Sequence, residues 1–143
     1  MTRKITLQIV ITTTFLFLSF IQQTIASDRR TVDAIKASEE FLLLVDTSQY
    51  AKSWSVASSF FKSQVPKETW VKQISSLRPA FGKVTNRVIM GSQYVKELPG
   101  APDGQYIVIQ YKTSFENKRK AVETITPMLD KDGIWRVSGY YIQ

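Results

Sequence analysis

The sequence predicts an α+β fold in which three N-terminal helices pack on a curved four-stranded antiparallel sheet. Three observations predict it. Apolar residues recur at helical spacing from about Thr31 to Phe81. After Gly82 the period changes to alternation, which is the signature of half-buried strands. The later strands are separated by short turn-rich stretches, so that neighbours pair antiparallel and the helices stay segregated from the sheet.

The first helix spans about Thr31 to Val45, where Ile35, Leu42 and Val45, with Ala34, Ala37, Phe41 and Leu44 beside them, form a broad apolar face. Asp46 suits the cap of a second helix, with Gln49 three residues on as its reciprocal partner. That helix runs through Tyr50, Trp54, Ala57, Phe60 and Phe61 and stops before Pro66. Pro66 fits the first turn of a third helix, which carries Trp70, Ile74, Leu77 and Phe81 on one face and ends at Gly82. Residues 84–98 then read as one long strand with a bulge or bend at Gly91. Leu98 to Gly104 is a Pro- and Gly-rich turn. Tyr106 to Phe115, Ala121 to Leu129 and Ile134 to Ile142 complete the sheet, and Asp132-Gly133 signals a tight hairpin between the last two strands.

Residues 1–26 have the layout of a secretory signal peptide. Arg3 and Lys4 precede an apolar run from Ile5 to Ile21, and a polar stretch closes on Ala26. Thr6, Gln8, Thr12, Thr13, Thr14 and Ser19 interrupt that run, which is short for a membrane span of roughly 20 apolar residues. Cleavage after Ala26 is expected, leaving residues 27–143 as a single α+β domain exported to the periplasm, with no membrane span after processing.

Composition excludes more chemistry than it suggests. The chain has no Cys, so disulfides, thiol nucleophiles and thiolate metal sites are closed to it. It has no His, which removes Ser-His-Asp hydrolysis and ordinary zinc catalysis. Any acid–base work falls to Asp, Glu, Lys or Tyr with shifted pKa values. The formal charge of +7 is spread along the chain, and Lys118-Arg119-Lys120 is its densest basic block. Basic residues do not interleave with aromatics in an RNA-reading pattern, so no nucleic acid is expected as a partner. The scattered glycines make no phosphate loop and the carboxylates have no calcium-loop spacing, so no cofactor or metal is expected.

Three constellations bear on function. Ser59-Phe60-Phe61-Lys62 has the Ser-x-x-Lys spacing of penicillin-binding enzymes, but the companion motifs are missing and the pattern reads as chance. Trp54, Tyr94, Tyr111, Trp135 and Tyr141 either fill the core of a small domain or line a pocket between helices and sheet. Lys112 and Glu123 fall opposite each other if Asn117-Lys118 makes a two-residue turn. The simple register from Asp132-Gly133 sends Glu123 to the face of Arg136, as an exposed strand charge. One extra residue near Pro127 would instead bring it to the face of Trp135 and Tyr141, as a pocket carboxylate able to serve as acid or base. The candidate binding set is therefore Trp54, Tyr111, Glu123, Trp135 and Tyr141.

Several blocks resemble one family. Leu44-Val45-Asp46, Tyr50, Ser53-Trp54, Phe61-Lys62 and Trp70 are similar to the helical half of the exported bacterial family known as domain of unknown function 4019. The turn from Leu98 to Tyr106, Glu123-Thr124 and the stretch from Asp132 to Tyr141 resemble its later blocks. Ser48 stands where the family pattern has Gly. The resemblance implies an architecture similar to the nuclear-transport-factor-2 or cystatin-like folds and brings no catalytic residues with it. The expectation is an exported envelope domain that binds a small molecule or an envelope protein without catalysis. A small isomerase- or dehydratase-like enzyme built on Glu123, and a homodimerising structural domain, are the alternatives.

Overall fold

The computed structural model describes residues 29–143. The leader and its cleavage site lie outside the described residues. The chain divides into two compact units, residues 1–32 and 33–143. The described part of the first is helical, and the second contains the sheet and the core.

Among the described residues four helices precede four strands. Residues 29–46 are helical (α1), followed by α2 (Tyr50–Val56), α3 (Ser59–Gln64) and α4 (Lys67–Phe81). The strands are β1 (Val84–Val95), β2 (Tyr106–Phe115), β3 (Ala121–Leu129) and β4 (Trp135–Ile142), paired antiparallel in sequence order. The α+β architecture is the expected one, helices against a four-stranded antiparallel sheet.

The second expected helix is two. Ser58 breaks it with extended backbone and caps α3, accepting from the Phe61 amide at 3.0 Å. Asp46 caps nothing: α1 continues through it, and Ser48 turns the chain with a left-handed φ of 58°. Gln49 takes the cap position of α2 without a capping side-chain bond. On α4 the buried residues are Trp70, Ile74 and Arg78, while Leu77 is exposed. The buried stripe follows i, i+4 spacing, and it takes a charged residue where an apolar one was expected. Gly82 ends α4 at φ 75°, and a Cβ there would meet Glu116 at 2.9 Å.

Register decides which residues reach the core. Tyr111, and not Lys112, lies opposite Glu123 across β2 and β3. The connecting loop thus differs by one residue from a two-residue turn, and Phe115 donates its amide to the Lys118 carbonyl. Lys112 is exposed. Between β3 and β4, Leu129 pairs with Trp135, so this loop too is longer than two residues, with Gly133 left-handed at φ 79°. β3 alternates from Ala121 to Pro127, burying Ala121, Glu123, Ile125 and Pro127, and Met128 beside them is buried as well. The register shift falls opposite Pro127, where Ser138 is the extra residue, on β4. In β1 the shifts fall at Thr85 and Met90, the second next to the expected bend at Gly91.

The core lies between the helices and the inner face of the sheet. Phe41, Leu42, Val45, Trp70 and Ile74 from the helices meet Ile107, Ile109, Ile125, Trp135 and Val137. Trp70 is its aromatic centre, with ring centroids 5.2 Å from Phe61, 5.8 Å from Phe41 and 6.3 Å from Tyr140.

Candidate functional site: a groove beside a buried charge network

Glu123 is fully enclosed, and both its oxygens are occupied. Oε2 accepts from Arg87 Nε at 2.7 Å and from Thr113 Oγ1 at 2.6 Å, and Oε1 accepts from the Tyr140 hydroxyl at 2.7 Å. Arg87 also donates to Asp46, from Nη1 at 2.6 Å and from Nη2 at 3.1 Å. Asp46 also accepts from Arg78 Nη2 at 2.8 Å. Two carboxylates and two guanidiniums thus form a neutral chain, as a charge at this depth requires. Asp46 ends α1, where the helix dipole disfavours a negative charge, and the two arginines offset that placement. Arg78 Nη1 is buried without a hydrogen-bond partner, and the guanidinium carbon lies 4.7 Å from the centre of the Phe115 ring.

The surroundings set the proton affinities. Burial opposes the charged form of Arg87, but hydrogen bonds to Asp46 and Glu123 outweigh it and raise its pKa. Burial, then the charge and hydrogen bond of Glu123, raise the Tyr140 phenol far above its usual value. Tyr111 is pushed up to about 12, first by burial and then by the charge of Glu39, with Arg87 opposing.

Beside this network an open groove of about 520 Å³ separates α1 from β1. Glu39, Leu42, Leu43 and Asp46 form the helix wall, Arg87, Val88 and Ile89 the strand wall, and Tyr111 also lines it. Leu43 is 61% exposed, Val88 48% and Ile89 43%, so the rim is apolar and open to solvent. The hydroxyl of Tyr111 is buried and has no partner at good hydrogen-bond geometry, with Ser38 near enough only to lower its pKa slightly. β1 forms an edge of the sheet, pairing only with β2 among the described residues.

The five expected site residues do not share a pocket. Tyr111 and Glu123 are cross-strand neighbours at the network. Trp135 is buried in the core, 7% exposed. Trp54 packs against the core and donates its indole N–H to the Val65 carbonyl at 2.7 Å, pinning α2 to the end of α3. Tyr141 is 61% exposed and pairs with Thr124 on the outer face, because the extra residue at Ser138 turns Tyr140 inward in its place. Glu123 does reach the face of Trp135, as one of the two registers required.

Sequence reasoning missed Asp46 as a bridge, along with Arg78, Arg87, Thr113 and Tyr140. A signal existed for two of the network residues. Asp46 follows buried Leu42 at i+4, and Glu123 stands between buried Ala121 and Ile125 at i±2.

A second concavity of about 450 Å³ is lined by Ser59, Lys62, Asp130 and Arg136 among others. There Ser59 donates to Asp130 Oδ1 at 2.7 Å, and Asp130 also accepts from the Ser59 amide and from Arg136. These bonds tie the start of α3 to the β3–β4 hairpin. Lys62 is directed elsewhere, to the Ser55 carbonyl at 3.3 Å. Among the described residues no carboxylate cluster is placed to hold a metal ion, and no helix is long and apolar enough to cross a membrane.

Residues 37–140 match the family described as "Protein of unknown function (DUF4019)", and the chain belongs to that family. No curated protein matches the chain.

Proposed function

We propose that this domain is a non-catalytic binding module of the bacterial envelope that holds its ligand in the groove between α1 and β1. The observation that carries this reading is an open groove with the exposed apolar rim of Leu43, Val88 and Ile89, set beside a charge network with no free acid or base. The enzymatic alternative needs Glu123 in a cleft, and Glu123 instead lies beneath Arg87 with three donors on its two oxygens. The network's role is then mechanical: it fixes the end of α1 to β1 and β3, and so holds the two groove walls apart at a set distance. Export to the envelope is supported by the basic–apolar–polar pattern of residues 1–26.

A screen of small amphipathic fragments by methyl NMR tests the reading. Binders should shift Leu43, Val88 and Ile89 first, and Leu43→Arg should abolish those shifts without lowering the melting temperature. Fragments that bind only elsewhere, or no fragment binding at all, would refute it.

A further inference from the structure

We infer that the groove's natural occupant is an extended peptide segment of a partner protein, carrying alternate apolar residues and one Lys or Arg, which adds to the sheet along the open edge of β1. This inference rests on the binding-module reading of the same groove and names its ligand class.

Three features carry it. The first is the edge itself. β1 runs from Val84 to Val95 and among the described residues pairs on one side only, so along Asn86–Ile89 a row of backbone N–H and C=O groups faces outward. The second is the lack of an outward-facing charge along this edge. Arg87 is the one charge within β1, and it is turned inward onto Asp46 and Glu123. Exposed Val88, Ile89 and Met90 take the place that a lysine commonly holds on a protected edge. The bulges at Thr85 and Met90 interrupt the edge but leave Asn86–Ile89 and Gly91–Val95 regular. The third is the helix beside it. A strand added to β1 would send alternate side chains inward, against exposed Leu43 and the groove-lining Ile89. Glu39 stands on that wall, exposed and without an ion-pair partner among the described residues, so its charge selects a basic residue in the incoming strand.

The experiment pans displayed random peptides of about ten residues, enough for one strand, against the full chain. Recovered peptides are titrated by fluorescence anisotropy and their footprint is read by amide hydrogen exchange. The expected peptides alternate apolar residues around a Lys or Arg, and on binding they slow exchange along residues 86–95. Met90→Lys, which restores a guarding charge, should weaken them about tenfold or more with an unchanged melting temperature, the scale of one good contact. Met90→Leu should bind like the parent. Glu39→Lys should weaken the basic peptides about two- to fivefold, as loss of an exposed ion pair does.

Recovery of no peptide, or of peptides that leave β1 exchange unchanged, overturns the inference. So does a concentration-dependent dimer with β1 already protected, which would make a second copy the occupant. If fragments still shift Leu43 and Ile89 while no peptide binds, the binding-module reading stands and only the strand-pairing inference falls.

Discussion

Tyr140 donates its hydroxyl to Glu123 at 2.7 Å while its ring packs 6.0 Å from Phe41 and 6.3 Å from Trp70. One side chain therefore belongs to both the aromatic core and the charge network. Its inward position depends on the extra residue at Ser138, whose hydroxyl donates to the Thr126 carbonyl at 2.6 Å. A β-bulge in the last strand thus supplies a donor to the carboxylate buried on the neighbouring strand.

Breaking that network should be costly. Glu123→Ala leaves Arg87 with only Asp46 as counter-charge, and removing one partner of a buried ion pair costs about 3–5 kcal/mol. Tyr140→Phe keeps the ring and removes one donor to a charged acceptor, a loss of about 1.5–3 kcal/mol. Urea unfolding of the two variants checks the order, Glu123→Ala below Tyr140→Phe below the parent. Equal stability of all three would show that the network does not hold the fold.

Alkaline pH should release the same region. The pKa of Tyr111 is raised by burial from 10.0 to about 12, and that of Tyr140 is raised further by burial and Glu123. A folded pKa above the unfolded one gives stability that is whole below about pH 10 and declines as pH rises toward 12 and beyond. Stability should therefore fall with pH above about 10, with the phenolate absorbance of these tyrosines growing as the protein unfolds. Tyr111→Phe should flatten that fall. Because it also removes a buried hydroxyl without a partner, it should raise stability near neutral pH by up to about 1 kcal/mol. A Tyr111→Phe protein with the parent's alkaline profile would contradict the assignment.

What the chain reveals by its pattern and what it hides have different physical origins. The strands and α4 were legible because period, Pro66 and Gly82 act locally. The charge network was not, because it depends on register, and register turned on two loops each one residue longer than the simplest reading. Those loops exchanged Lys112 for Tyr111 as the neighbour of Glu123. They also placed Glu123 on the buried side of β3, where β-strand alternation alone leaves the choice of face open. Arg78 and Arg87 carry no sequence signal of their own, because a buried arginine is recognised only by its partner, here an aspartate more than thirty positions away. Tyr141 and Tyr140 are adjacent, and a single extra residue decides which of them is inside.

Ser48 carries a local strain in the turn between α1 and α2. Its φ of 58° is a left-handed conformation that costs a residue with a Cβ roughly 1–2 kcal/mol and glycine little. Its hydroxyl accepts only a long bond from Tyr50, at 3.3 Å, on an exposed surface. Ser48→Gly should raise stability by up to about 1 kcal/mol, once glycine's greater freedom in the unfolded chain is offset. Ser48→Val should lower it. Thermal melts of the pair decide the matter, and a destabilised glycine variant would mean that the Tyr50 bond outweighs the strain.

Trp135 tests whether the core depends on the sheet's last strand. It is 7% exposed, faces inward opposite Leu129, and belongs to the same cluster as Phe41, Trp70 and Ile109. Truncating a buried tryptophan removes its transfer free energy and leaves a cavity that close-packed neighbours fill only in part. Trp135→Ala should therefore cost about 3–5 kcal/mol, a large share of the roughly 5–15 kcal/mol available to a domain of this kind. The chain has no disulfide to limit the damage. Trp135→Phe, which keeps an aromatic ring in place, should cost distinctly less. Because Trp135 is remote from the groove walls, whatever folded Trp135→Phe protein forms should bind groove fragments like the parent. An alanine variant that melts within a few degrees of the parent, or a phenylalanine variant that folds but loses groove binding, would refute the core assignment and return Trp135 to the binding site.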